Sequence, residues 1–342
     1  MIAPHPETWV EVRPQGLYVV PGGFYVDPLR AVDRAVITHG HSDHARPGHR
    51  AVLATAETLA IMDHRIGAQP GQAKQPLAYG EVVRLGEVEV SLHPAGHVLG
   101  SAQVLIEYRG SRIVVSGDYK RRADPTCAPF VPVRCDVFVT EATFGLPVFR
   151  HPDDRAEIAR LLDSVRLFPE RCHVVGVYSL GKAQRVIGLL REAGWDRPIY
   201  AHGALLPMCA LYEAHGVSLG DLRPATAGAK GVPKDEFKGG IVLAPPSAII
   251  DRWARRLPDP VVCMASGWMR VRQRARQGGV ELPLVISDHA DWDELLQTFD
   301  DVGAPEVWIT HGREEALMHA ANARGYRARA LALVGYEDEG GS

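Results

Sequence analysis

The chain has 342 residues, 46% of them hydrophobic, too many for one small core and enough for one large or two medium domains. A formal net charge of −3 gives no bulk attraction for polyanions, so any nucleic acid has to be held by a local basic surface. The five cysteines (Cys127, Cys135, Cys172, Cys209 and Cys263) are scattered without a C-x-x-C, which argues against a disulfide framework or zinc ribbon and for buried thiols. No charged and then apolar leader opens the chain and no apolar run is long enough for a bilayer, so a cytoplasmic protein without a membrane partner is expected.

In chain order, "GLYVV" and "FYVDP" read as a hairpin around Pro21-Gly22-Gly23, and "RAVITHG" as a buried strand ending in a turn. "ETLAIMDHRIG" has helical spacing and stops at Gly67. "VEVSLHPA", "AQVLIEYRG", "SRIVVSGD" and "CDVFVTEATFG" follow as strands, each with its polar cluster at one end. Near Arg150 the rhythm changes to alternating helix and strand: "DDRAEIARLLDSVRLF", "HVVGVYS", "KAQRVIGLLREAG", "RPIYAHG", "GGIVLAPP" and "DPVVCMASG". That alternation indicates a mostly parallel sheet with helices on it. From "LPLVISDHADWDELLQTF" through "EVWITHG" and "REEALMHAANARG" the first style returns. The chain is therefore expected to form a discontinuous first domain, 1–149 and 284–342, with an α/β module inserted at 150–283.

The stretch "VITHGHSDHARPGH" concentrates metal-ligand chemistry at the end of one apolar run. His39, His41, Asp43 and His44 form H-x-H-x-D-H, and His39 and His41, two apart on chain leaving a strand, can point their rings the same way. Asp43 and His44 can turn to a neighbouring position, so one loop offers ligands to two adjacent ions. Imidazole and carboxylate favour zinc-like ions, with manganese or iron also open. Further donors end other apolar strands: His93 and His97 in "HPAGHVLGSAQV", Asp118 in "VVSGDYKRR" and His311 in "VWITHG". A carboxylate at Asp118 can bridge two metals about 3.5–4 Å apart. Each alone reads as a turn-capping residue; several strand ends delivering His or Asp together do not.

These motifs, with Asp27 in "YVDP", resemble the metallo-β-lactamase fold, an αββα sandwich with a dinuclear metal site. "VTEATFG" with Glu141, "ISDHAD" with His289 and "THG" with His311 resemble the further motifs of the β-CASP nuclease branch, and "YSLGKAQRV" and "MASGWM" resemble segments of its inserted domain. "GGFYVDP", "HARPGH", "VSGDYKR" and "TEATFGLPVFRHP" are most similar to bacterial ligase-associated DNA exonucleases. The resemblance implies two divalent ions per chain, Zn2+ or Mn2+. His39, His41 and His97 would hold one, Asp43, His44 and His311 the other, and Asp118 would bridge them. Asp27 would orient a ligand histidine from behind. His289 would act as general acid with Glu141 behind it, and Asp43 joins them in the catalytic set. The insert is compact for the family, and no nucleic-acid-binding domain is expected after His311.

The implied function is hydrolysis of DNA, as a single-strand exonuclease in DNA repair, with DNA ligase and other repair proteins as partners. An RNA-processing ribonuclease of the same branch is the alternative, ahead of a small-ester hydrolase or a non-catalytic scaffold. His289 has a plainer reading, as a helix N-terminal histidine between Asp288 and Asp291. Candidate substrate contacts are Lys120 and Arg121, which with Arg122 lie directly behind Asp118, together with Lys182 and Arg270. Lys182 and Arg185 open a helix, where backbone N–H groups favour phosphate. Arg270 starts a run with Arg272, Arg274 and Arg276, although such runs are usually solvated faces. Trp268 and Trp292 can stack on unpaired bases, with core packing the commoner fate of such tryptophans.

Overall fold

The computed structural model describes residues 3–67, 69, 72–226 and 233–331. The chain divides into two compact units. The described residues of the first fall within Met1–Ala123, Cys127–Arg150 and His289–Ser342, and those of the second within Asp124–Thr126 and His151–Asp288.

The first unit contains two sheets. One runs in spatial order through β1 (Val10–Arg13), β2 (Gly16–Val19), β3 (Phe24–Val26), β4 (Arg34–Val36), β5 (Ala51–Ala54) and β6 (Ala73–Pro76). The other is built from β7 (Val82–Leu85), β8 (Val88–Pro94), β9 (Ala102–Tyr108), β10 (Ser111–Val115) and β11 (Val137–Ala142), joined by the last two strands, β18 (Glu306–Gly312) and β19 (Arg327–Ala330). The expected hairpin is the antiparallel β2–β3 pair, in register Leu17↔Val26, Tyr18↔Tyr25 and Val19↔Phe24.

Strand alternation explains the layering, because successive side chains point to opposite faces. Val104 and Ile106 of β9, Ile113 and Val115 of β10, and Val137 and Val139 of β11 enter one core, with Val19, Phe24, Val26 and Val36 from the first sheet. The residues between them, Leu105, Val114 and Phe138, face the other way onto α7 (Trp292–Val302) and α8 (Glu314–Ala323) through Leu295, Phe299 and Leu317. Ala35, Val52 and Ala54 of the first sheet meet Leu59 and Met62 of α1 (Ala56–Ile66) on its outer side. The result is an αββα sandwich. Each fully buried aliphatic or Phe side chain contributes about 1.5–3 kcal/mol to holding it together.

The polar ends of the second sheet are aligned by topology. β10, β11 and β18 are parallel neighbours, so their C-terminal ends lie side by side. Gly117 follows β10 with φ +57, and a Cβ there would sit 2.7 Å from the Cβ of Thr38, so only glycine lets this strand exit close to the β4 loop.

The second unit has one parallel sheet in the order β14 (Leu222–Pro224), β13 (Ile199–Ala201), β15 (Ile241–Ala244), β12 (Cys172–Gly176), β16 (Pro260–Ala265) and β17 (Leu282–Leu284). It is accompanied by α2 (Asp154–Leu167), α3 (Lys182–Glu192), α4 (Leu206–Ala214) and the short α5 (Pro246–Ile249) and α6 (Arg272–Gln277). Leu284, where the first domain is expected to resume, instead ends a strand that pairs in parallel with β16, and the chain returns to the first unit at His289. A three-residue apolar run carries no signal of which sheet it will join. Among the described residues no helix is long and apolar enough to cross a membrane.

Arg185, near the start of α3, is fully buried. It pairs with Asp154, lies 3.3 Å from Asp288 and 3.8 Å from Asp124, and donates to the Ser287 carbonyl. A guanidinium with several carboxylates around it compensates charges that would otherwise be costly to bury. Arg185→Ala leaves those carboxylates without it, and chemical denaturation should show a loss of about 3–5 kcal/mol.

Candidate metal centre

The β4 loop delivers three histidines, and the rest of the first unit closes around them. One carboxylate oxygen lies at the focus: Asp118 Oδ2 is 3.4 Å from His44 Nε2, 3.5 Å from His39 Nε2 and 3.8 Å from His97 Nε2. His41 Nδ1 lies 3.1 Å from His39 Nε2 and 2.9 Å from His97 Nε2. Two side-chain sets have their donor atoms within 4.8 Å of one another and share Asp118: His39, His41, His97 and Asp118, and His44, Asp118 and His311. A third set is Asp118, Glu141 and His289.

Converging ring nitrogens are the fit test for a metal. A single proton cannot satisfy three imidazole nitrogens that approach one another at about hydrogen-bond distance, whereas one cation accepts all their lone pairs. The nitrogen and oxygen donor set suits zinc, manganese and related ions.

Asp27 prepares two of the rings. Its Oδ2 accepts from His44 Nδ1 at 2.8 Å and from Thr38 Oγ1 at 2.6 Å, and its Oδ1 accepts from the Thr38 backbone N–H at 2.8 Å. With its own proton committed to Asp27, the Thr38 hydroxyl accepts from His39 Nδ1 at 3.0 Å. Both histidines thus carry the proton on Nδ1 and present Nε2 toward Asp118, a tautomer set by neighbours rather than by the ring itself. Asp27 and His311 also hold left-handed backbone, with φ of 42° and 55°. Such strain in non-glycine residues persists where the surrounding structure imposes it.

The electrostatics follow from burial. Burial, aided by the His44 charge, holds His39 well below its usual range. Burial lowers His311 to about 4, again helped by His44. Burial opposes a charge on His44 too, but the carboxylates of Asp118 and Asp43 outweigh it and hold that imidazole well above its usual range. Asp118 shows the reverse: burial resists its charge, and His44 overrides burial to keep it well below the ordinary carboxylate range.

Glu141, on β11, sits behind His289. Its Oε2 faces His289 Nδ1 at 2.9 Å and its Oε1 accepts from the Tyr119 N–H at 2.8 Å. Burial raises the Glu141 carboxyl above its usual range, against the pull of His289. The His289 ring centroid is 4.7 Å from that of His97, at the rim of the cluster. Its backbone is pinned on the next residue, where Ala290 N–H donates to the Tyr119 carbonyl at 2.7 Å. The capping box of Asp291 and Glu294 then starts α7. His289 does precede a helix start, as its plainer reading has it, but its ring turns to Glu141.

Asp43 belongs to none of the three sets, its Oδ2 lying 3.6 Å from His44 Nε2. His93 is also outside them and faces Ser91 Oγ at 3.0 Å. The basic residues expected on the surface are mostly committed elsewhere. Lys120 is fully buried and donates to the His97 carbonyl at 3.3 Å, which steadies a ligand loop. Lys182 is buried, 2.9 Å from Asp288 and donating to the Ile286 carbonyl. Arg121 pairs with Asp301 at 2.5 Å, and Arg122 with Asp291 and Glu294 at 3.0 and 2.9 Å. Arg270, Arg272, Arg274 and Arg276 are exposed, with Arg274 4.0 Å above the half-buried Trp268 ring. Trp292, the first residue of α7, lies in the core between that helix and the second sheet.

Residues 26–176 match a family model described as the metallo-beta-lactamase superfamily. Among similar proteins, a probable DNA ligase of Opitutus terrae is 28% identical, over 92% of this chain and 30% of its own length. An endoribonuclease of Gibberella zeae is 25% identical over 89% of this chain and 49% of its own. A ribonuclease of Thermus thermophilus is 24% identical over 92% of this chain and 88% of its own. The chain therefore spans about a third and a half of the first two of these relatives. A solved structure of a protein of unknown function from Enterococcus faecalis superposes with a TM-score of 0.58 at 15% identity, covering 87% of this chain and 79% of that one, a likeness of fold.

The carboxylates around His44 hold that imidazole above its usual range, so a metal at its Nε2 competes with a proton. Metal binding should therefore release protons at neutral pH and weaken as pH falls. Calorimetry in buffers of different ionisation enthalpy should give a buffer-dependent heat; a heat independent of buffer would contradict this. Asp118→Ala removes the oxygen both ligand sets share and should abolish metal retention in elemental analysis.

Proposed function

We propose that this chain is a nuclease of the β-CASP branch of the metallo-β-lactamase superfamily, a metal-dependent phosphodiesterase that hydrolyses single-stranded DNA from an end, a reading supported by the family match and the similar nucleases. The observation that carries the reading is the Glu141–His289 pair, at 2.9 Å, set beside a cluster whose donors share Asp118. Ester hydrolysis at an activated carbonyl has less need of such a buried acid, whereas a departing alkoxide of a phosphodiester needs a proton.

His39, His41 and His97 would hold one divalent ion and His44 and His311, with Asp43 at their edge, a second, with Asp118 between them. A Zn2+ or Mn2+ pair held there would supply Lewis acidity, lowering the pKa of water and offsetting charge on phosphate oxygens. The protein's own residues do the rest. Asp27 and Thr38 fix the tautomers of His44 and His39. Glu141 accepts from His289 Nδ1, which aims Nε2 outward and favours the protonated ring, so that His289 can pass its proton to the departing oxygen.

The choice of DNA follows the relative named as a probable DNA ligase, which also suggests a DNA ligase as partner in repair. The two relatives named as ribonucleases favour RNA as the second reading. With Lys120 and Lys182 buried and Arg121 paired, substrate contact in the second unit falls to Arg270 and the exposed arginines after it, beside Trp268.

End-labelled single- and double-stranded DNA and RNA, incubated with and without manganese or zinc, discriminate the readings. Mononucleotide release from one end of single-stranded DNA is expected. Internal cuts confined to RNA would replace this reading with the second, and turnover of thioesters or lactones alone would replace both. His289→Ala should keep its metal in elemental analysis while kcat falls ~10²–10⁴-fold; a metal-free variant would make His289 a ligand, as its set with Asp118 and Glu141 permits.

A further inference from the structure

We propose that the outer face of the first sheet carries a second nucleic-acid site, a cleft that binds the phosphates and bases of a single strand away from the Asp118 cluster. The proposal rests on the reading of the protein as a nuclease of single strands and extends it to how the strand is held.

The cleft measures about 570 Å³ and is lined by Arg13, Gln15, Tyr18, Tyr25, Arg34 and Arg50, among others. Tyr18 and Tyr25 are cross-strand partners on β2 and β3, with ring centroids 4.6 Å apart and planes inclined by 49°. Their strand neighbours Leu17, Val19, Phe24 and Val26 fill the core between the sheets, so the two tyrosines are turned outward by strand alternation. The helix packed on this side of the sheet, α1, meets Ala35, Val52 and Ala54 on β4 and β5.

The charges in the cleft are unevenly matched. Arg13 stacks 3.6 Å above Tyr18 and is paired with Glu11 at 2.7 Å. Arg34 makes no ion pair or side-chain hydrogen bond among the described residues. Arg50 has Asp33 at 3.9 Å, with the two side chains 78% and 86% exposed, which is too distant and too solvated to neutralise it. Arg34 and Arg50 thus line a cleft shared with the tyrosine pair, opposed among its lining residues only by the solvated Asp33. A polyanion with flat apolar faces answers both features: phosphates meet Arg34 and Arg50, and a base lies against Tyr18 or Tyr25. A small anion would leave the rings unused, and an apolar peptide would leave the guanidiniums uncompensated.

Arg34 opens β4 and His39 lies five residues further on, so the cleft is up to ~16 Å from the metal ligands along extended chain, at ~3.3 Å per residue. Neither the clustered histidines nor Asp118 are among the residues lining the cleft, so a strand held there must continue beyond it to reach the centre.

The test is fluorescence anisotropy with a labelled phosphorothioate oligothymidylate, which keeps its charge and resists hydrolysis, on the metal-loaded protein. The double variant Arg34→Ala/Arg50→Ala should weaken binding about ten-fold and reduce the slope of log affinity against log salt by about 1.4, at ~0.7 for each phosphate no longer neutralised. Tyr18→Leu should weaken binding with the salt slope unchanged. Arg109→Ala, an exposed arginine on the β9–β10 turn, should leave both unchanged. The proposal is overturned if the double variant binds like the wild type, if Arg109→Ala costs as much, or if the wild type does not bind the strand. Displacement by inorganic phosphate at matched phosphate concentration would also overturn it, in favour of a small-anion site. Turnover of bis(p-nitrophenyl) phosphate by the same preparations reports on the metal centre separately, so a failed cleft and a failed nuclease reading can be told apart.

Discussion

A buried carboxylate surrounded by imidazoles is the constraint on which the first unit's site is built. Asp118 is 4% exposed, and its Oδ2 faces three ring nitrogens at 3.4–3.8 Å. A charge so removed from water has to be compensated by positive charge at close range. Protonation of His44 is one source of that charge and is favoured by Asp118 itself; bound metal ions would be another. The same geometry therefore serves both states, and the competition between proton and metal is a direct consequence of putting Asp118 where it is.

Topology makes this convergence inexpensive in backbone terms. Because β10, β11 and β18 are adjacent and parallel, the residues at their C-terminal ends, Asp118, Glu141 and His311, arrive together without long loops. The first sheet contributes His39, His41 and His44 from the exit of β4. Gly117 lets the two exits approach, and Asp27, drawn into left-handed backbone, ties Thr38 and His44 into one hydrogen-bonded unit. The supporting layer is as specific as the cluster itself: Asp27 accepts from His44 Nδ1 and, through Thr38, orients His39.

The histidines gathered around Asp118, and Asp118 itself, are legible in the sequence because His and Asp cluster just after apolar runs. The sandwich enters through the resemblance that these motifs carry, because the strands alone indicate only a sheet-rich unit with its polar clusters at strand ends. Other features depend on distant partners that local pattern does not reveal. Lys120 stands in a basic run directly after Asp118 and reads as surface, yet its ammonium turns inward to the His97 carbonyl. Arg121 finds Asp301, 180 residues away. Lys182 and Arg185 read as a phosphate-binding helix start, yet they are held by Asp288 and its neighbours. The strand Leu282–Leu284 joins the second unit's sheet rather than the first, a choice that three apolar residues leave open because they fit either edge. The Arg34–Arg50 cleft has no sequence signature, because its residues come from separate strands and loops, each carrying one ordinary arginine.

Two manganese ions sharing the Asp118 carboxylate would be magnetically coupled, so electron paramagnetic resonance of the protein loaded with Mn2+ examines the proposed centre directly. A spectrum of a spin-coupled manganese pair, lost in Asp118→Ala, is the expected result. The hyperfine pattern of isolated manganese at full loading, with no coupled species, would contradict it.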